Sequence, residues 1–213
     1  MKLTDLSIAD LLAAFRAPEP TPGGGSASAL SGAVGAALLA MVAGLAKPRT
    51  ATEEDARRLA AAGERCAELS IRLSALIDQD SDAYASVVAA FRLSKRTDEE
   101  KGHRLARIQE AMQAATVTPL DVMRACGAAI EQAAVVAAFG NLHASSDVQV
   151  GLELLGAGLR GAALNVAINL PSVKDAAFAI RAKKEADRIA SEAASGIAAA
   201  RGTLNGTDGR AGL

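Results

Sequence analysis

The chain has no tryptophan, one tyrosine (Tyr84) and four phenylalanines (Phe15, Phe91, Phe139 and Phe178), although half of its 213 residues are hydrophobic. Its apolar half is therefore built from small side chains, and about fifty residues are alanine. Alanine is the best helix former and is depleted from strands, so this composition excludes a β-sandwich or barrel and predicts an all-α protein. Cysteine is scarce too. Cys66 and Cys126 stand sixty residues apart with no CxxC or Cys/His spacing, which gives neither a disulfide framework nor a zinc site and predicts two buried thiols. An excess of either charge is also lacking. Lys plus Arg is 23, Asp plus Glu is 24, and the net charge of -1 offers no global attraction to nucleic acid or an anionic membrane. The first residues carry an acid, Asp5, and no apolar run ending in a cleavage site, so the expected location is cytoplasmic.

No charge occurs between Gly23 and Ala46, a stretch long enough to cross a bilayer. It is mostly Gly, Ala and Ser, however, without flanking aromatic residues. The expectation is a central helix packed on every side by other helices, not a membrane span, because small residues let backbones approach closely.

Helix starts are marked by a repeated device, a Ser or Thr followed three residues later by an acid or Gln, which satisfies free amides reciprocally. It occurs at Ser7/Asp10, Thr52/Asp55, Thr97/Glu100, Thr118/Asp121, Ser146/Gln149 and Ser172/Asp175. Pro119 suits a first helical turn, and Gly140 and Gly202 are placed like C-terminal glycines. The pattern predicts helices near 5–16, 26–46, 53–92, 98–116, 119–139, 147–169 and 173–201, with room for a kink or break near Asp78 to Ser81 in the longest. They form a single up-and-down helical bundle over residues 1–203, followed by a disordered tail at 204–213. The charge-poor helices near 26, 119 and 147 should be central and the others outer.

Three constellations could carry chemistry. Pro22-Gly23-Gly24-Gly25-Ser26 leads into a helix, where bare backbone amides and the positive dipole end can meet an anion or a polar ring, or simply form a turn. No Gly-Lys-Ser/Thr follows, so it is not a phosphate-binding P-loop. Asp78-Gln79-Asp80-Ser81-Asp82 puts three acids in five residues of an otherwise apolar helix. Asp78 and Asp82 share a face while Asp80 points about 200° away from Asp78, so the spacing predicts that one acid turns inward, where desolvation raises its pKa and fits it for proton transfer. The alternative is a solvated polar patch. No companion His or Glu sits at metal-ligand spacing. The third group is Asn141, His143, Ser146 and Asp147, followed by Asn165 and Asn169 at i, i+4 in a nearly uncharged helix, where buried amides need polar partners from a ligand or a neighbouring helix.

At these places the sequence resembles the formimidoyltetrahydrofolate cyclodeaminase and methenyltetrahydrofolate cyclohydrolase family. The resemblance runs from about Leu6 to Ala200 through PTPGGGSASAL (Pro20 to Leu30), DQDSDAY (Asp78 to Tyr84), RLSKRTDEEK (Arg92 to Lys101), TPLDVM (Thr118 to Met123), FGN (Phe139 to Asn141), SDVQVG (Ser146 to Gly151) and GAALNVAINL (Gly161 to Leu170). It implies an all-helical bundle working as a homodimer, without metal or cofactor, that binds a tetrahydrofolate derivative beside the glycine-rich loop. The family's catalytic acid falls on Asp80. Substrate contacts are implied for Pro22, Gly23, Gly24, Gly25, Ser26, Asp78, Asn141, Ser146, Asp147, Asn165 and Asn169. Departures lie at Lys47-Pro48-Arg49, where the family often has paired basic residues and an aromatic, and at Ser94, where it often has Pro. They leave open whether Lys47, Arg49, Arg92 or Lys95 meets the folate's glutamate.

Asp78 beside Asp80, Gln149 and the INL ending at Leu170 look more like the cyclodeaminase branch, which converts 5-formimino- to 5,10-methenyltetrahydrofolate with loss of ammonia. The cyclohydrolase, opening the methenyl bridge to 10-formyltetrahydrofolate on the same site, is the alternative. A non-catalytic helical folate-binding or scaffold protein is the reading from a different class.

Overall fold

The computed structural model describes residues 2–208, and no strand occurs among them. After a 3-10 turn at Leu3–Asp5 come six α-helices: α1 Ile8–Arg16, α2 Gly24–Gly44, α3 Glu53–Arg92, α4 Asp98–Phe139, α5 Ser145–Asn169 and α6 Ala176–Asp208. From α2 onward successive helices reverse direction, giving the expected up-and-down bundle.

Three predicted caps form as expected. Ser7 accepts from the Asp10 amide, Thr52 from the Asp55 amide, and Thr97 with Glu100 completes a reciprocal capping box. Two others take different forms. Asp175, not Ser172, accepts from the Phe178 amide, and α5 begins at Ser145 without a side-chain cap. Helix α3 runs 40 residues without a break near Asp78.

The predicted helices 98–116 and 119–139 are one helix of 42 residues with Pro119 inside it. Proline has no N–H to give the carbonyl four residues back. That carbonyl, Ala115 O, instead accepts from Asn169 Nδ2 of α5 at 2.8 Å. The hydroxyls of Thr116 and Thr118 bond back to Met112 O and Ala114 O, so neither works as an N-cap. Gly202 lies within α6, which continues past the expected end at 201 to Asp208. Leu204, expected in a loose tail, is buried; residues 209–213 of that tail lie outside the described residues.

The charge-poor segments lie against one another inside the bundle, but α2 is not packed on every side as expected, because its face at Val34 and Met41 is exposed. Helix α2 packs antiparallel to α3 and α5 and parallel to α4, and its contact with α5 is backbone on backbone. A Cβ added at Gly35 would stand 2.7 Å from Gly151 O, and one at Gly158 would stand 2.6 Å from Ser28 O. Leu39, Leu73, Met123, Ile130 and Leu155 fill the core between these helices. On the outside, Arg124 reaches Glu185 through two bonds of 2.7 and 2.8 Å and Asp121 at 2.6 Å, tying α4 to α6. Asp121 also meets Arg72 of α3 at 3.1 Å. By length and composition α2, α4 and the 142–172 segment could each cross a bilayer; in this fold they pack on one another. Cys66 and Cys126 are free and buried.

Candidate functional site

The glycine-rich loop and the acidic stretch meet at one end of the bundle. The chain enters α2 through Gly23, whose extended backbone (φ -118°, ψ -160°) serves as the N-cap without a side-chain hydrogen bond. The Thr21–Pro22 peptide bond before it is cis. Gly25 and Ser26, in the first turn of α2, lie against the middle of α3, and the Asp80 carboxyl fills the space beside Gly25 that any side chain there would need. Glycine at 25 is thus required by close approach.

Ser26 is fully buried, and its hydroxyl has two acceptors, Ile77 O at 2.9 Å and Asp80 Oδ2 at 3.0 Å, with Ser81 Oγ at 3.3 Å. Burial pushes the Asp80 carboxyl above the ordinary aspartate range, opposed by hydrogen bonds from the Ser26 hydroxyl and backbone N–H. This is the inward acid that the spacing predicts. A carboxyl so placed, beside the first turn of a helix and part-way out of water, can take and return a proton.

The other acids of the stretch are differently engaged. Asp78 accepts from the Leu3 amide at 2.6 Å and the Thr4 hydroxyl at 2.7 Å, pinning the N-terminal turn to α3. Asp82 is exposed. Across the α2–α5 seam Asn165 faces Gly24, its Nδ2 3.7 Å from where a Cβ at Gly24 would be and donating to Gly161 O at 2.9 Å. Ser28, part of the PTPGGGSASAL stretch but not among the expected substrate contacts, is buried and donates to Gly24 O at 2.6 Å, bracing the loop from below.

Asn141, Ser146 and Asp147 do not join this group within one chain. They lie where α5 begins, beside the C-terminal end of α2, and the 21 residues of α2 separate the two ends by about 30 Å. Asn141 donates to Ala46 O at 2.7 Å and accepts from the His143 amide at 2.9 Å, so both ends of its amide hold the corner after α4. Arg49 braces the same corner, donating to Gly140 O at 3.0 Å and to Ala137 O. Asn169 serves the proline bulge of α4 described above. Among the described residues no group of three His, Cys, Asp or Glu side chains could hold a metal.

The chain matches the family model described as formiminotransferase-cyclodeaminase over residues 7–188. It is 43% identical over 177 residues to a methenyltetrahydrofolate cyclohydrolase of Methylorubrum extorquens, covering 82% of this chain and 84% of that one. It is 31% identical over 205 residues to the formimidoyltransferase-cyclodeaminase of Rattus norvegicus, of which it spans only 37%. The solved formiminotetrahydrofolate cyclodeaminase of Thermotoga maritima superposes with a TM-score of 0.83 at 25% identity, covering 95% of this chain and 97% of that one. The resemblance legible in the sequence, the helical fold and these matches agree: the chain belongs to the formiminotransferase-cyclodeaminase family.

Proposed function

We propose that the protein is a folate one-carbon enzyme acting on the carbon held between N5 and N10 of tetrahydrofolate, with Asp80 as general acid and base. The observation that carries this reading is the half-buried Asp80 carboxyl, raised in pKa and facing the first turn of α2. In the hydrolytic direction, Asp80 as carboxylate takes a proton from water as the oxygen attacks the cationic methenyl carbon. The tetrahedral adduct then breaks its bond to N5, which receives that proton, while the adduct's hydroxyl loses its own proton to solvent as the formyl C=O forms, and 10-formyltetrahydrofolate leaves. In the deaminating direction, N10 attacks the formimino carbon on N5, a proton is delivered to the departing nitrogen, and ammonia leaves the cationic methenyl bridge behind. Both directions are proton transfers around one tetrahedral carbon with no redox change, so side chains and water suffice without metal or organic cofactor. Charge suits them as well, because the carboxylate offsets the methenyl cation.

The 43% identity to a cyclohydrolase over most of both chains favours hydrolysis of the methenyl bridge. Cyclodeamination is the second reading, favoured by the Thermotoga maritima structure and by the sequence likeness at Asp78, Gln149 and the INL ending at Leu170. Purified protein offered each substrate separately decides between them. Loss of the methenyl absorbance faster than the spontaneous rate supports the first, ammonia release from 5-formiminotetrahydrofolate supports the second, and neither would reject both.

The enzyme is further proposed to work in the cytoplasm as a homodimer. Support for the dimer comes from apolar side chains left exposed on the uncharged α2 (Val34, Met41) and on α5 (Leu164, Ile168). Sedimentation of an active monomer would refute it.

A further inference from the structure

Helix α3 continues for three turns past Asp80, and the row Asp80, Tyr84, Val88, Arg92 advances along it at four-residue spacing. Over this stretch lies an open groove of about 630 Å³. Its far wall is Pro20 and Thr21, the same loop that feeds Gly23 to Ser26 into the site, and Tyr84 at its near end is one helical turn from Asp80. Val88 and Ala89 floor it, and Tyr84 and Arg92 line it. Tyr84 is 43% exposed. Among the described residues neither its hydroxyl nor the exposed Arg92 guanidinium has a hydrogen bond or ion pair, whereas the other four arginines on α3 are engaged.

We propose that this groove receives the p-aminobenzoyl-glutamate half of the reduced folate, with the ring against Tyr84 and a glutamate carboxylate on Arg92. The assignment rests on the function proposed above and adds a subsite to it. Twelve residues of helix separate Asp80 from Arg92, about 18 Å at 1.5 Å per residue. Side chains on a helix lean toward its N-terminus, so the arginine reaches back about 6 Å and the shorter aspartate leans away about 2 Å, leaving a gap of roughly 14 Å, which hydrogen bonds at each end help to span. A para-substituted ring and its amide set about 10 Å between N10 and the glutamate carboxylates at ordinary bond lengths. The groove offers what that fragment requires: an apolar slot with one aromatic face, closed by a planar, permanently charged fork. Of the other cations the sequence offers, Arg49 is spent on the carbonyls that end α4, Lys47 stands beside it at the opposite end of α2, and the exposed Lys95, just past α3, does not line the groove.

The test compares 5,10-methenyltetrahydrofolate with 5,10-methenyltetrahydropteroate, which lacks the glutamate, on wild type, Arg92→Ala, Arg92→Lys, Tyr84→Ala and Tyr84→Phe; 5-formiminotetrahydrofolate and its glutamate-free counterpart replace them if deamination is the reaction observed. Arg92→Ala should raise KM for the glutamate-bearing substrate about 10- to 100-fold, kcat falling far less, and Arg92→Lys should recover part of it. For the glutamate-free substrate wild type and Arg92→Ala should have the same KM. Tyr84→Ala should raise KM for both substrates, with Tyr84→Phe close to wild type. An Arg92→Ala KM within twofold of wild type, or an equal rise for both substrates, overturns the subsite while turnover by wild type leaves the function standing. Absence of wild-type turnover on both reduced folates removes the function and the subsite together.

Discussion

The Asp80 carboxyl occupies the volume that a side chain at residue 25 would take. Each group holds the other's position: Gly25 has no Cβ so that the acid can approach the first turn of α2, and the acid closes the space that glycine leaves. We expect Gly25→Ala to lower activity at least 100-fold and to cost about 1–3 kcal/mol of stability through overpacking. In an Asp80→Ala background the same change should cost much less, because the overlapping carboxyl is gone. Chemical denaturation of the four variants in this cycle measures the coupling, and equal costs in both backgrounds would refute it.

Asp80→Asn should separate activity from stability. Turnover should fall about 10²- to 10⁴-fold with helical circular dichroism unchanged. The sign of the stability change follows from the raised native pKa. A carboxyl raised on folding favours the native state below its unfolded pKa, and this contribution is lost as pH rises through the native value. At neutral pH wild type has therefore lost stability that it holds in acid, a loss the variant does not suffer. Melting curves should place Asp80→Asn above wild type at pH 7 and level with it near pH 3; the reverse order would contradict the burial argument. The acid limb of wild-type activity should lie above the ordinary carboxylate range.

Asn169 should behave as a structural residue. Its amide fills the carbonyl of Ala115 that Pro119 leaves without a partner. Asn169→Ala should cost about 1–2 kcal/mol, the penalty of a lost hydrogen bond with a carbonyl left bare, while kcat is kept. With Pro119→Ala the helix supplies its own N–H, so the added cost of Asn169→Ala should shrink. A large loss of kcat with unchanged stability would return Asn169 to the substrate site.

Burial pushes the Cys66 and Cys126 thiols up to about 12. Reaction with a disulfide reagent at pH 8 should be slow in the native protein and rapid for two thiols in denaturant, since the thiolate is the reacting species. Two fast equivalents without denaturant would count against the packing of α3 and α4.

What could be read in the sequence was what depends on neighbours in the chain. The caps at Ser7, Thr52 and Thr97 bind amides three residues away, and helical spacing requires that the acids of 78–82 cannot share one face, while the resemblance singles out Asp80. The fusion of two predicted helices into α4 was hidden because the residue that repairs the proline break, Asn169, lies 54 residues from the carbonyl it serves. Asn141 and Asn165 look alike as polar residues in apolar surroundings, yet the antiparallel course of α2 and α5 puts one at each end of the bundle. The groove at Tyr84 and Arg92 was illegible for the same reason, its second wall being a loop more than sixty residues earlier.

The glycine contacts between α2 and α5 have a consequence for variation in this protein. Most packed helices are separated by a layer of side chains that can change rotamer and absorb a disturbance. Here Gly35 meets the Gly151 carbonyl and Gly158 meets that of Ser28, so no yielding layer intervenes. A bulkier residue introduced on the inner face of α5, well away from Asp80, is transmitted undamped to the turn that carries Gly25 and Ser26. Along this seam tolerance to mutation and catalytic competence become a single trait, and neutral drift is confined to the faces the seam does not touch.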